Sequence, residues 1–455
     1  MAQTEQTIAT FITRLRFADV PPQAQRVVRQ VVLAVCGTGI AGAREDGIQA
    51  LRGLLLQAGG APQATLFVYG DKLPAAAAAQ FNGTLCRALD FCDAMAPGPH
   101  FGAALFPAAL AAAELAGGCS GAEFMAALVA GLEVGSRFNL TEAQYDGFDP
   151  TGIAALFAAT AAVARILKLD DVQTVNALGL AFNRCGGSFQ NNVDGSLGVR
   201  MVQGWVAQAA VHCAQLAQIG ITGPANFLTG HYGFAHLYGR DTLDTTHMVT
   251  GLGEEWRLQR VIFKKYPSCG VTQGVTELAL ALVHDIGLQG ADVLHAEVRL
   301  PPYAHRLVGH VFQIGANPRV DAQFSAAWCV ANALMRQSSQ LQHFTPARVR
   351  DAGVCELAAR VRVVADPAMD PRGHTAVNLT VTTRDGQTHQ RQLDIAPGFP
   401  GAALNDAQHL ARFHDCMAYA PVPLATAMSE QLMGALNAID ELADARMLAT
   451  CLVAR

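Results

Sequence analysis

The sequence predicts a mostly α-helical fold with an α+β second domain. Three observations carry this. Apolar residues recur at three- and four-residue spacing up to about residue 255, the texture switches to two-residue alternation near residue 256, and helical spacing returns after about residue 398. The expected organisation is therefore a large helical domain built from both chain ends (1–255 and 399–455) and a smaller α+β domain over 256–398.

In the first part, RVVRQVVLAVCGTGIAG, AALFPAALAAAELAGG, AEFMAALVAGLEVGSRF and MVQGWVAQAAVHCAQLAQIG each read as helices, several of them apolar nearly all round. Such helices bury most of their surface inside a bundle or against a partner subunit, so a homo-oligomer is expected. RLQRVIFKKYPSCG then leads into a helix over VTQGVTELALALVHDIG. HAEVRL, VRVVAD, AVNLTVTT and THQRQL alternate as half-buried strands do, and RDGQ reads as the turn of a hairpin joining the last two. Beyond GFPGAALNDAQHLARF the chain is helical to Arg455 and is expected to return to the first domain.

With 455 residues, 51% hydrophobic and 15% charged, the chain suits a globular protein with extensive helix-on-helix burial. A net charge of -5 and no run of Lys/Arg interleaved with aromatics leave nucleic acid without an electrostatic footprint. Eleven cysteines fall singly, with no C-x-x-C pair, which predicts reduced thiols and no metal cluster. The first twenty residues lack a basic start and apolar core, and FGAALFPAALAAA is too short to span a bilayer. A soluble cytoplasmic protein is expected.

Two stretches concentrate groups that could do chemistry. RALDFCDAMAPGPH holds Arg87, Asp90, Asp93 and His100, the last on a Pro/Gly loop opening a helix. A helix N-terminus with His and Arg nearby is a place for a substrate carboxylate; the alternative is local pairing of Asp90 and a surface His100. FKKYPSCG holds Lys264, Lys265, Tyr266 and Cys269 where the two textures meet, and a partly desolvated Lys264 there is a candidate base. Lys265 is equally readable as a solvated hinge lysine, and Cys269 as packing. GFDPTG places Asp149 on a turn before a helix, where an acid is either a cap or a working group. DGSLGVR lacks the strand and third glycine of a dinucleotide loop, and His212 and Cys213 point to different helix faces, so neither a nucleotide nor a metal is implied.

Taken together, LDF-x-D with a loop His, G-A-x-x-x-P-A-A-L-A-x-A-E, GF-x-PTG, DGS…R…GW-x-A, FK-x-YPSC and A-x-FS resemble the MmgE/PrpD family of 2-methylcitrate dehydratase and cis-aconitate decarboxylase, in the same order along essentially the whole chain. The resemblance implies a helical domain from both ends, an α+β lid, a homodimer, and no required metal or organic cofactor. It carries Asp90, His100 and Lys264 over as site residues. It also marks departures: the family's GFHPTG histidine is Asp149, its lysine after DG is Val199, its threonine in DFDDT is Ala94, and a decarboxylase histidine is replaced by Cys269. Asp149 in that place would repel a further carboxylate and welcome an ammonium, a secondary amine or a hydroxyl, so an amino or imino dicarboxylate enters as a substrate class.

The chemistry the resemblance implies is proton removal or delivery beside a carboxylate of a small polycarboxylate. The expected roles are Lys264 and His100 as acid/base groups, Asp90 orienting His100, Tyr145 as a further acid/base group, and Arg87 and Arg137 binding carboxylates, with Asp149, Lys265 and Cys269 lining the substrate. A dehydratase-type lyase leads; an epimerase, a decarboxylase and a non-catalytic binding protein are the alternatives.

Overall fold

The computed structural model describes residues 3–454. It divides into two compact units, one running to Val261 and resuming at Cys416, the other spanning Ile262–Asp415.

The first unit is helical. Its principal helices are α1 (Pro22–Gly42), α2 (Ala75–Arg87), α3 (Gly102–Leu115), α4 (Gly121–Arg137), α5 (Leu156–Ile166), α6 (Asp171–Phe182) and α7 (Gly198–Gln218). Local chemistry sets several starts: α1 has proline in its first turn, and Ser120/Glu123 and Asp170/Gln173 form reciprocal capping boxes for α4 and α6. Nearly every residue of α3 is buried, as its all-apolar surface requires. Helices α2 and α7 lie side by side at close range because Gly204 has no side chain; a Cβ there would fall 2.1 Å from Thr84 Oγ1. Phe138, Phe157, Phe227 and Phe234 fill the interior between α4 and α5, with Phe138 and Phe157 stacked at 3.9 Å.

The helix expected after GFDPTG begins irregularly. Residues Thr151–Ala155 form a π turn before α5 takes over at Leu156. Such turns widen the helix and commonly mark functional positions.

The second unit carries a four-stranded mixed sheet of β1 (Val293–Leu300), β2 (Val361–Ala365), β3 (Val377–Thr383) and β4 (Thr388–Leu393), in the order β2-β1-β3-β4. The β1–β2 pair is parallel and the other two are antiparallel. The RDGQ hairpin pairs Thr382 with Thr388, and Thr383 N–H donates to Gln387 O. Alternation on β3 points Val377, Leu379 and Val381 into a core shared with α8 (Gln273–Ile286) and α9 (Ala326–Arg336), with Trp328 and Phe344 at its centre.

The units are bounded differently from the changes of texture. Residues 256–261 stay with the first unit, where Glu133 accepts from Leu258 N–H. Residues 399–415 belong to the second, because helical spacing says that a face is apolar without saying which core receives it. No described helix is long and apolar enough to cross a membrane.

Candidate active site

The first unit gathers four of the expected residues around the end of α2. Arg87 is the last residue of α2, and the chain turns there because Asp90 takes a left-handed conformation, φ 52°. Its carboxylate comes back to the helix end and accepts from Arg87 Nη1 at 2.5 Å. Arg87 is 8% exposed. Burial pulls its pKa down, but the anionic fields of Asp90, Cys92 and Asp149 and the bond to Asp90 outweigh it, so the guanidinium is held above its ordinary value.

His100 is fixed by the backbone. Its Nδ1 lies 2.6 Å from the Asp93 carbonyl oxygen, and since a carbonyl only accepts, Nδ1 carries the hydrogen. In the neutral ring the lone pair then sits on Nε2, which lies 3.7 Å from Asp90 Oδ1. The Asp93 carbonyl thus orients the ring from Nδ1, while the Asp90 carboxylate, the group expected to orient His100, faces Nε2. Main-chain anchors complete the placement: His100 N–H donates to Thr151 Oγ1 at 3.1 Å, and Gln203 Nε2 donates to His100 O at 2.7 Å.

The N-terminus of α3, expected to take a substrate carboxylate, is already filled. Asp93, fully buried, accepts from the N–H groups of Phe101 and Gly102 with both oxygens, placing its own anion at the positive end of the helix. Gly102 admits it closely; a Cβ there would lie 2.4 Å from Asp93 Oδ1.

Asp149 is both cap and buried acid. Its Oδ1 accepts from Thr151 N–H at 2.8 Å at the start of the π turn, and its own N–H donates to Gly187 O. It is 5% exposed, and burial raises its pKa against the lowering effects of the Thr151 N–H and of Arg87. Thr151 joins the two halves of the cluster, its N–H held by Asp149 and its hydroxyl holding His100 N–H.

Two expected residues are spent on structure. Arg137 gives Nε to Glu133 at 2.7 Å and its four remaining N–H groups to the carbonyls of Met248, Thr250, Gly251 and Glu255, so nothing remains for a substrate carboxylate. Tyr145, buried, accepts from Leu140 N–H and donates to Asn139 Oδ1, and burial pushes its phenol further above its already high pKa. That makes it a packing group and removes it as an acid/base candidate at neutral pH.

In the second unit, Lys264 follows a short strand fastened where Phe263 N–H donates to Gly398 O, and the lysine is 5% exposed. Lys265 is engaged locally: Nζ lies 2.7 and 2.9 Å from the two Glu277 oxygens and sits over the Tyr266 ring, whose hydroxyl also donates to Glu277. Its ammonium is thus paired within its own unit. Cys269 is buried, its N–H on Gln323 O and its carbonyl receiving Thr272. Among the described residues, no group of three or more His, Cys, Asp and Glu is placed to hold a metal.

Sequence reasoning passed over Thr151 and Gln203, and gave Asp93 no role. Nothing local singles out Asp93, which reaches the helix end from nine residues upstream, or Gln203, which reaches His100 from α7.

The profile of the MmgE/PrpD N-terminal domain matches residues 6–245, and that of the MmgE/PrpD C-terminal domain matches residues 266–433. A cis-aconitate decarboxylase-like protein of Aspergillus oryzae is 24% identical over 424 residues, covering 88% of this chain and 87% of its own. The cis-aconitate decarboxylase of Homo sapiens is 23% identical over 394 residues, covering 84% and 80%, and that of Aspergillus terreus 23% over 350 residues, covering 70% of each. Both domains are thus matched in order along most of the chain, which belongs to the MmgE/PrpD family.

Proposed function

We propose that this protein is a lyase that removes a proton beside a carboxylate of a small di- or tricarboxylate and expels a β-hydroxyl as water. The observation that carries the reading is the bond of His100 Nδ1 to the Asp93 carbonyl, which directs Nε2, as the acid/base nitrogen, toward Asp90 and the Arg87 end of α2. His100 takes the α-proton; the Arg87 guanidinium supplies positive charge where the enolate-like carboxylate develops. The leaving hydroxyl needs a proton, and the FK-x-YPSC match supports Lys264 as its donor.

Decarboxylation is the competing outcome, raised by the names of the relatives. Asp149, Ala94 and Val199 replace side chains that the family resemblance assigns to dehydratases and decarboxylases alike, while Cys269 replaces a histidine of the decarboxylases and so tells against cis-aconitate. A second reading, epimerisation of an amino or imino dicarboxylate, draws on Asp149: a buried carboxylate beside the site offers an acceptor to a substrate N–H.

Proton NMR of the purified protein with methylcitrate, citrate, cis-aconitate and amino or imino dicarboxylates in deuterated water separates these. New vinyl signals, or an allylic methyl signal from methylcitrate, without loss of carbon dioxide support dehydration. Exchange of the α-proton with the skeleton intact supports the epimerase, and release of carbon dioxide the decarboxylase. Ligand-induced stabilisation with no turnover or exchange of any compound would overturn all three in favour of a binding protein.

A further inference from the structure

A cleft of about 460 Å³ in the first unit, away from the end of α2, is lined by His247, Glu255, Trp256, Arg257 and Arg260. Its walls are not a loose surface loop. Arg137, buried at the end of α4, holds the carbonyls of Met248, Thr250, Gly251 and Glu255, while its partner Glu133 accepts Leu258 N–H through the second carboxylate oxygen. One buried ion pair thus pins the backbone of the segment that forms the cleft, which fixes where its lining residues start.

The charges in the cleft do not cancel locally. Arg257 gives a hydrogen bond to the His247 carbonyl, and neither Arg257 nor Arg260 has a carboxylate within ion-pair distance among the described residues. His247 is paired with Asp244 at 3.1 Å, and Glu255 is the only acid in the lining. Burial, then the nearby Arg137 and Arg260 cations, hold the Arg257 guanidinium below its ordinary pKa, against the opposing pull of Glu133 and Glu255. Two guanidiniums in one concave polar site, without carboxylate partners, are the donor set that binds a carboxylate or phosphate through forked hydrogen bonds.

We infer that this cleft is an accessory binding site for a small multivalent oxyanion, held by Arg257 and Arg260 and backed by Trp256. The inference does not rest on the lyase reading, since none of these residues belongs to the cluster around His100.

Isothermal titration calorimetry of the full chain at low ionic strength, with inorganic phosphate and separately with citrate, tests it. The expected result is a saturable component of binding of at least one of them that persists in His100→Gln and is weakened about tenfold or more in Arg260→Gln, a loss of one charge-assisted contact. Arg257→Gln should weaken it likewise; the exposed Arg260 provides the variant least able to disturb folding. Phosphate alone would mark a phosphate site and citrate alone a polycarboxylate site, either supporting the inference. Absence of saturable binding in the His100→Gln background, or binding there that is indifferent to Arg260→Gln, would overturn it.

Discussion

Arg87 and Arg137 invite comparison because they are built alike and do different work. Each is the last residue of a helix, each is buried, and each pairs with an acid close in sequence, Asp90 three residues on and Glu133 four residues back. The difference lies in the acids and the remaining donors. Glu133 is fully buried within α4 and Arg137 is saturated by four carbonyls, so that pair closes on itself as a structural pin. Asp90 stands outside its helix with a side chain 23% exposed and beside His100 Nε2, and among the described residues Arg87 gives a hydrogen bond only to Asp90. A buried arginine is therefore diagnostic of a site only when its own fork is incompletely used.

The comparison is broken or sharpened by substitution. Arg137→Met, which strands Glu133 as an uncompensated buried charge, should cost about 3–5 kcal/mol in denaturant unfolding. If it instead left stability intact and abolished turnover, the structural assignment would be wrong. Arg87→Met should cost less, about 1–2 kcal/mol, because Asp90 retains solvent contact, yet reduce turnover of any substrate found by about a hundredfold or more. Equal losses of stability with activity per folded molecule unchanged would put Arg87 in the same class as Arg137.

Two smaller effects concern the link between Asp149 and His100. Thr151→Val removes the acceptor of His100 N–H, and a loss of about 1 kcal/mol is expected, with kcat falling more than KM rises. Thr151→Ser should restore both. Asp149→Asn keeps an oxygen for Thr151 N–H without burying a charge. Because burial raises the Asp149 pKa above its unfolded value, the folded state binds more protons between those two values, and wild-type stability falls as pH rises through that window. The Asn variant should therefore be the more stable protein at neutral pH, the advantage shrinking on acidification and vanishing below about pH 4. An Asn variant less stable at pH 7 would show that the Arg87 field, and not burial, governs Asp149.

Much of this architecture was legible in the sequence. The apolar faces of α3 and α4, the alternation of β3 and the RDGQ hairpin all express local periodicity, which survives folding. So was the grouping of Arg87, Asp90 and His100, because those residues lie close in sequence, at the end of α2 and on the loop that follows it. What sequence could not supply was the tertiary use of donors. Nothing in VGSRFNL says that Arg137 meets carbonyls more than a hundred residues later, nor that the Asp93 carboxylate would fill the helix end expected to receive substrate. Tyr145 shows the same limit, its hydroxyl spent on Asn139 and Leu140. The GFDPTG acid is seen to cap the π turn, and the cap sets the buried Asp149 carboxylate against Thr151, whose hydroxyl accepts from His100 N–H.

The central claim is that His100, held by Asp93, moves the proton. Deuterium exchange at the α-carbon, followed by NMR on a substrate from the polycarboxylate panel, should proceed with wild-type protein and fall by about a thousandfold or more in a folded His100→Gln variant. Exchange at an undiminished rate in His100→Gln would contradict the account.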